Sequence, residues 1–162
     1  MTETLSYTWD GLPVSPNPPY GAMIVVYRLD EEDPHQRQFL VLHRGHRGAD
    51  FEGRWAWGPP SGARQPGEDI VHCAERELHE ETGLKLPLQQ VYVVDDQWPV
   101  FLAQAPVDCA IRLSPEHDRY VWLPLREAVA RMTPEVVRQS FLAAVRVLSQ
   151  STQASSDQRQ NQ

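Results

Sequence analysis

Four of the five glutamates between Gly62 and Leu84 are spaced as metal ligands on a helix would be. The run reads GARQPGEDIVHCAERELHEETGL. Glu68 comes first, and Arg76, Glu77, Glu80 and Glu81 follow after a seven-residue gap. Glu77 and Glu80 are three apart, and Glu77 and Glu81 are four apart. On an α-helix such residues share one face. At about 100° per residue the three carboxylates span an arc of roughly 100°. Like charges at this spacing destabilise an isolated helix by a few tenths of a kcal/mol per pair. The cluster therefore makes most sense with a cation over it. Taken alone, the same spacing is more commonly a solvated acidic face.

The surrounding residues predict the helix that would position these acids. Ile70, Ala74 and Leu78 repeat every four residues, with Val71 beside them, and form an apolar stripe. Pro66-Gly67 marks a turn, Glu68 and Asp69 place negative charge at the helix N-terminus, and Gly83 is a suitable C-cap. The result is a helix of about 13 to 15 residues. Ahead of it, residues 1–19 carry Trp9, Asp10-Gly11 and four prolines, which predicts an extended arm with Tyr7 and Trp9 as its pins. Residues 20–29 and 39–43 read as strands of a hairpin across an acidic turn, and 55–57 as a short strand. Behind the helix, 88–94, 100–103 and 120–123 read as strands, and 125–132 and 134–148 as helices. The predicted domain covers 20–148. From Ser149 the chain is almost wholly polar and reads as a disordered tail.

Composition narrows the function. A chain of 162 residues suits one domain with a real core, and 41% hydrophobic with 23% charged residues is ordinary for a soluble protein. The net charge of −7 argues against a nucleic-acid duplex or an anionic membrane as main partner. No apolar run near membrane-spanning length and no signal peptide is present, so a cytoplasmic setting is expected. The cysteines, Cys73 and Cys109, fit no paired motif, and a buried reduced thiol is expected.

The pattern Gly-x5-Glu-x7-Arg-Glu-Leu-x-Glu-Glu-x-Gly-Leu resembles the Nudix box, and Gly62, Glu68, Arg76, Glu77, Leu78, Glu80, Glu81, Gly83 and Leu84 match all of its fixed positions. The resemblance implies an α/β class fold, an α/β/α sandwich around a mixed β-sheet. It implies a Mg²⁺-dependent hydrolase, with Mn²⁺ as substitute, acting on a nucleoside diphosphate linked to another group. Carried onto this chain, Glu77, Glu80, Glu81 and the Gly62 carbonyl are the implied metal ligands, and one acid doubles as base. Arg76 would orient the acids by pairing with Glu68. The reading is chemically consistent, because Mg²⁺ prefers carboxylate and water oxygens and is shared with substrate phosphates.

The substrate is less defined. Arg44, His46, Arg47, Arg54 and Arg64 lie ahead of the helix, and Arg44 and Arg64 are the preferred phosphate contacts. Trp98, Phe101 and Tyr120 are candidate base-stacking rings, each with core packing as the alternative. The run Trp57-Gly58-Pro59-Pro60-Ser61-Gly62 looks like the approach to the box in asymmetric dinucleoside tetraphosphate hydrolases, with Ser61 replacing their lysine. Residues 113–123, with Glu116-His117 and Tyr120-Val121-Trp122, look like a segment of those enzymes and of nucleoside triphosphate pyrophosphohydrolases. That likeness makes Glu116 a further ligand or base. Pro99, fifteen residues past the box, instead matches ADP-ribose pyrophosphatases. The expected substrate is a dinucleoside polyphosphate or nucleoside triphosphate. The alternatives are an ADP-ribose or nucleotide-sugar pyrophosphatase, or a non-catalytic module that senses a nucleotide metabolite. The expected oligomeric state is monomer or homodimer.

Overall fold

The computed structural model describes residues 6–91 and 97–160, with the backbone alone for 151–160. A run of apolar residues buried on both faces makes β1 (Gly21–Leu29) the centre of the sheet. It pairs antiparallel with β2 (Arg37–His43) over Tyr27–Leu29 and antiparallel with β4 (Ser61–Ala63) over Gly21–Met23. One edge of β1 is thus shared by two strands. β2 continues away from it, taking β3 (Trp57–Gly58) on one side and β7 (Arg119–Pro124) on the other. The opposite edge of β1 pairs in parallel with β6 (Val100–Gln104), which pairs with β5 (Gln89–Val91). The sheet is therefore mixed, and β3 and β4 lie where β1 and β2 part.

Alternation along the strands divides the core into two layers. Met23, Val25, Phe39, Val41, Val100 and Leu102 pack against α2 (Leu125–Arg131) and α3 (Glu135–Gln160), through Ala128, Val137, Phe141 and Ala144. Ala22, Ile24, Val26, Leu40 and Leu42 pack against α1 (Ile70–Thr82), through Cys73, Ala74 and Leu78. The α/β/α sandwich is the predicted architecture.

The predicted helix stands at Ile70–Thr82. Asp69 caps it, accepting from Val71 N at 2.9 Å and His72 N at 3.3 Å. Gly83 stops it in the left-handed region at φ 76°, donating to His79 O at 2.8 Å. One prediction needs correcting. The strand expected at 55–57 begins only at Trp57, because Trp55 turns through φ 70° and its N–H donates to Thr133 O. β4, inside the box itself, was not anticipated. The polar run from Ser149 continues α3 to Gln160, since a helix already anchored by Phe141 and Leu148 adds further turns without a new nucleus. Part of the strand expected at 88–94 lies outside the described residues. Among the described residues no helix is long and apolar enough to cross a membrane.

Candidate active site

α1 presents its acids beneath β4, and Arg76 organises them. Its guanidinium grips Glu68 through two bonds, Nε to Oε2 at 2.7 Å and Nη2 to Oε1 at 2.9 Å. Nη1 donates to Glu77 Oε1 at 2.9 Å and Glu80 Oε2 at 3.2 Å, and Nη2 to Ala63 O at 3.0 Å. With its donors so engaged, Arg76 orients acids and ties α1 to β4 rather than reaching a substrate. The pairing with Glu68 is the predicted one. Burial alone would raise the Glu68 carboxyl, but bonds from Arg76 and Gln65 N outweigh it and hold it below its ordinary value.

Glu77 and Glu81 are destabilised as anions. Burial pushes Glu77 up to about 7, against the pull of Arg76, and the neighbouring Glu80 and Glu116 add to the rise. Glu81, fully enclosed, is raised well above the ordinary range by burial, then by Glu116 and Glu77. Ser61 N–H, 3.1 Å from Glu81 Oε2, opposes this, as does the charge of Arg44. Glu81 Oε1 is buried and has no hydrogen-bond partner. Crowded carboxylates in a low-dielectric setting call for positive charge among them.

Three side chains converge at that point. Ligand atoms of Glu81, Glu116 and His117 lie within 4.8 Å of one another. His117 Nδ1 is likewise buried without a partner, and burial, then Arg44 and His46, lower this imidazole to about 4. It is therefore neutral at pH 7 and able to coordinate. Gly62 leaves room for the acids, since a Cβ there would sit 2.0–2.3 Å from the Glu77 carboxylate. The partnerless oxygen, the mostly oxygen donor set and this close approach fit a divalent cation.

Two cavities flank the acids. One, of about 650 Å³, is lined by Gly62, Arg76, Glu77, Glu80 and Glu116, and by residues of the N-terminal arm. The other, of about 470 Å³, is more apolar and lies at the parting of β1 and β2, lined by Trp55, Trp57, Trp98 and His117. Arg44, Arg47, Ser61 and Trp98 border both. Cations thus stand between an acidic compartment and an aromatic one.

Of the expected substrate contacts, Arg44 and Trp98 border both cavities. Three others border neither. Arg64 donates to Pro19 O at 2.6 Å, Glu68 O at 2.8 Å, Ser15 Oγ at 2.7 Å and Asn17 O at 3.0 Å, so it fastens the arm instead of gripping phosphate. Phe101 is buried in the α1 layer, because its position on β6 points away from the cavities. Tyr120 is exposed on β7 and lines neither cavity. The sequence reading also missed His117 as a site residue. Its signal was its place beside Glu116.

The comparisons agree with this geometry. The NUDIX domain matches residues 18–144. The bis(5'-nucleosyl)-tetraphosphatase (asymmetrical) of Mus musculus is 36% identical over 121 residues, which cover 65% of this chain and 78% of that protein. An octanoyltransferase of Myxococcus xanthus is 27% identical over 139 residues, 78% of this chain, and the match spans only 37% of that longer protein. Among solved structures, a C. elegans Ap4A hydrolase binary complex superposes with a TM-score of 0.63 at 22% identity, covering 80% of this chain and 96% of that one, a likeness of fold. With the domain matched over most of the chain, the protein belongs to the Nudix hydrolase family.

Proposed function

We propose that the protein hydrolyses a phosphoanhydride bond of a nucleoside diphosphate linked to a second moiety, most simply a dinucleoside polyphosphate or a nucleoside triphosphate, with Mg²⁺ as cofactor and Mn²⁺ as substitute. The observation that carries this reading is the convergence of ligand atoms of Glu81, Glu116 and His117 within 4.8 Å of one another, with one buried Glu81 oxygen left without a partner, beside cavities bordered by Arg44 and Arg47. Glu77, Glu80, Glu81, Glu116 and His117 are the groups that would hold the metal, with the Gly62 carbonyl as a further candidate. A bound divalent cation supplies charge neutralisation for the polyphosphate and acidifies a water. The chain does the rest. Arg44 and Arg47 draw the phosphates between the cavities, and their forks match phosphate oxygens. Glu116 or Glu81 accepts the proton of the attacking water. Trp55 and Trp98 offer faces for a base and keep bulk water from the reacting phosphorus. The 36% identity to the mouse tetraphosphatase supports the dinucleoside choice.

Glu81→Gln and Glu116→Gln should each lower kcat by about 10²-fold or more while leaving the fold intact, because the base and ligands act in the chemical step. Turnover is measured on diadenosine tetraphosphate, ADP-ribose and nucleoside triphosphates, with products identified by mass and folding followed by circular dichroism. Undiminished turnover in both variants, or no turnover of any compound by the wild type with Mg²⁺, overturns the proposal.

A further inference from the structure

The N-terminal arm lies outside the residues that match the domain, which begin at 18. It nonetheless forms a wall of the acidic cavity. Thr8, Trp9, Asp10, Leu12 and Pro13 line the same space as Arg76, Glu77 and Glu80. The arm is a small hairpin of its own, bridged between Tyr7 and Pro13, with Thr8 N donating to Leu12 O at 2.8 Å and Val14 N to Ser6 O at 2.8 Å. Its base is fastened firmly. Ser15 N donates to Arg64 O at 2.7 Å, and the Arg64 guanidinium holds Ser15, Asn17 and Pro19.

The hairpin tip is not packed into a core. Tyr7, Trp9 and Leu12 are 60%, 55% and 45% exposed. Trp9 instead stacks on His46, ring centroids 4.7 Å apart and planes 25° from parallel. His46 is fixed by Glu116, whose carbonyl accepts from His46 N at 3.1 Å and lies 3.2 Å from Nδ1. The stack is therefore built against the residue that reaches Glu81. The chemistry of the tip selects its ligand. Among residues 6–19 the only charged side chain is Asp10. Such a surface repels phosphate and offers an aromatic face, while the arginines that suit phosphate lie between the cavities.

We infer that the N-terminal arm is a substrate-recognition element, in which Trp9, backed by His46, is the platform for a nucleobase at the acid-side end of the polyphosphate. The inference rests on the proposed function for the identity of the polyphosphate. A substrate with a base at each end would place one in the tryptophan-lined cavity and the other on Trp9, with Arg44 and Arg47 between them. Base–aromatic stacking accounts for about tenfold in affinity or more.

The test compares diadenosine tetraphosphate with adenosine 5'-tetraphosphate, which differ in the second adenosine. Trp9→Ala should raise KM for the first about tenfold with kcat retained, leave KM for the second unchanged, and be rescued by Trp9→Phe. Calorimetric affinities for both compounds in the Glu81→Gln background should show the same ratio. An equal effect on both compounds means that the arm only braces the site, and no effect on either means that it touches nothing. Either result overturns the inference. If the wild type hydrolyses neither compound, the dinucleoside polyphosphate choice of the proposed function falls, and the binding ratio still decides the role of Trp9. Because Trp9 is largely exposed, the alanine variant is expected to fold.

Discussion

Glu77 shows how a residue suited to a cation is a liability without one. Its carboxyl is displaced from 4.5 to about 7 by burial, with Arg76 opposing and Glu80 adding. Between those values the folded protein binds a proton that the unfolded chain releases. Its contribution to stability is therefore complete below pH 4.5 and is lost as pH rises through about 7. In chelator at pH 8 the buried charge costs roughly 3 kcal/mol relative to the neutral form. Glu77→Gln keeps an acceptor for Arg76 and removes that charge, so the metal-free variant should melt higher than the wild type at pH 8. The order should reverse in saturating Mg²⁺, where the wild type gains a ligand that the variant lacks. Thermal unfolding with and without chelator reads both, and a wild type that melts higher in chelator contradicts the assignment.

Between α1 and β4 the active surface is a contact of two elements, with little free volume. Gly62 is the point where they meet, opposite Ala22 in β1 and against the Glu77 carboxylate. In Gly62→Ala the added carbon would displace Glu77 rather than the backbone, since a flexible carboxylate end moves at little cost. The expected outcome is a kcat lowered about 10- to 100-fold, as for disturbed metal ligation, with a melting temperature within a few degrees of the wild type. A variant that is fully active would show that the glycine is not needed for approach. One that does not fold would show that the strand itself cannot shift. The caps of α1 belong to the same scale. Asp69 and Gly83 fix where the helix starts and stops, and hence which turn carries Glu77, Glu80 and Glu81.

The whole molecule decides which aromatic residues are scaffold and which can meet a ligand. Phe101 pairs in register with Ile24 and lies in the α1 layer. Phe101→Ala should cost about 3–5 kcal/mol of stability and leave KM unchanged, measured by denaturant unfolding and steady-state kinetics. A changed KM with little loss of stability would return Phe101 to the substrate site. The acid ladder, Arg76, the caps and the Ile70, Ala74 and Leu78 stripe of α1 were legible in the sequence because their interactions are local, at spacings of one to eight residues that helix geometry converts directly into contacts. Val71, expected beside that stripe, is instead exposed. The α/β/α sandwich was legible only through the family resemblance that the box carries. The division of one β1 edge between β2 and β4, the parallel pairing of β1 with β6, the meeting of Glu81 with Glu116 and His117, the use of Arg64 as a clasp for the arm, and the stacking of Trp9 on His46 were decided only by tertiary structure. Each joins residues some 35 to 80 positions apart, or turns on which of two faces a strand residue takes. Spacing along the chain carries no information about contacts of that length, which depend on how the completed layers close on one another.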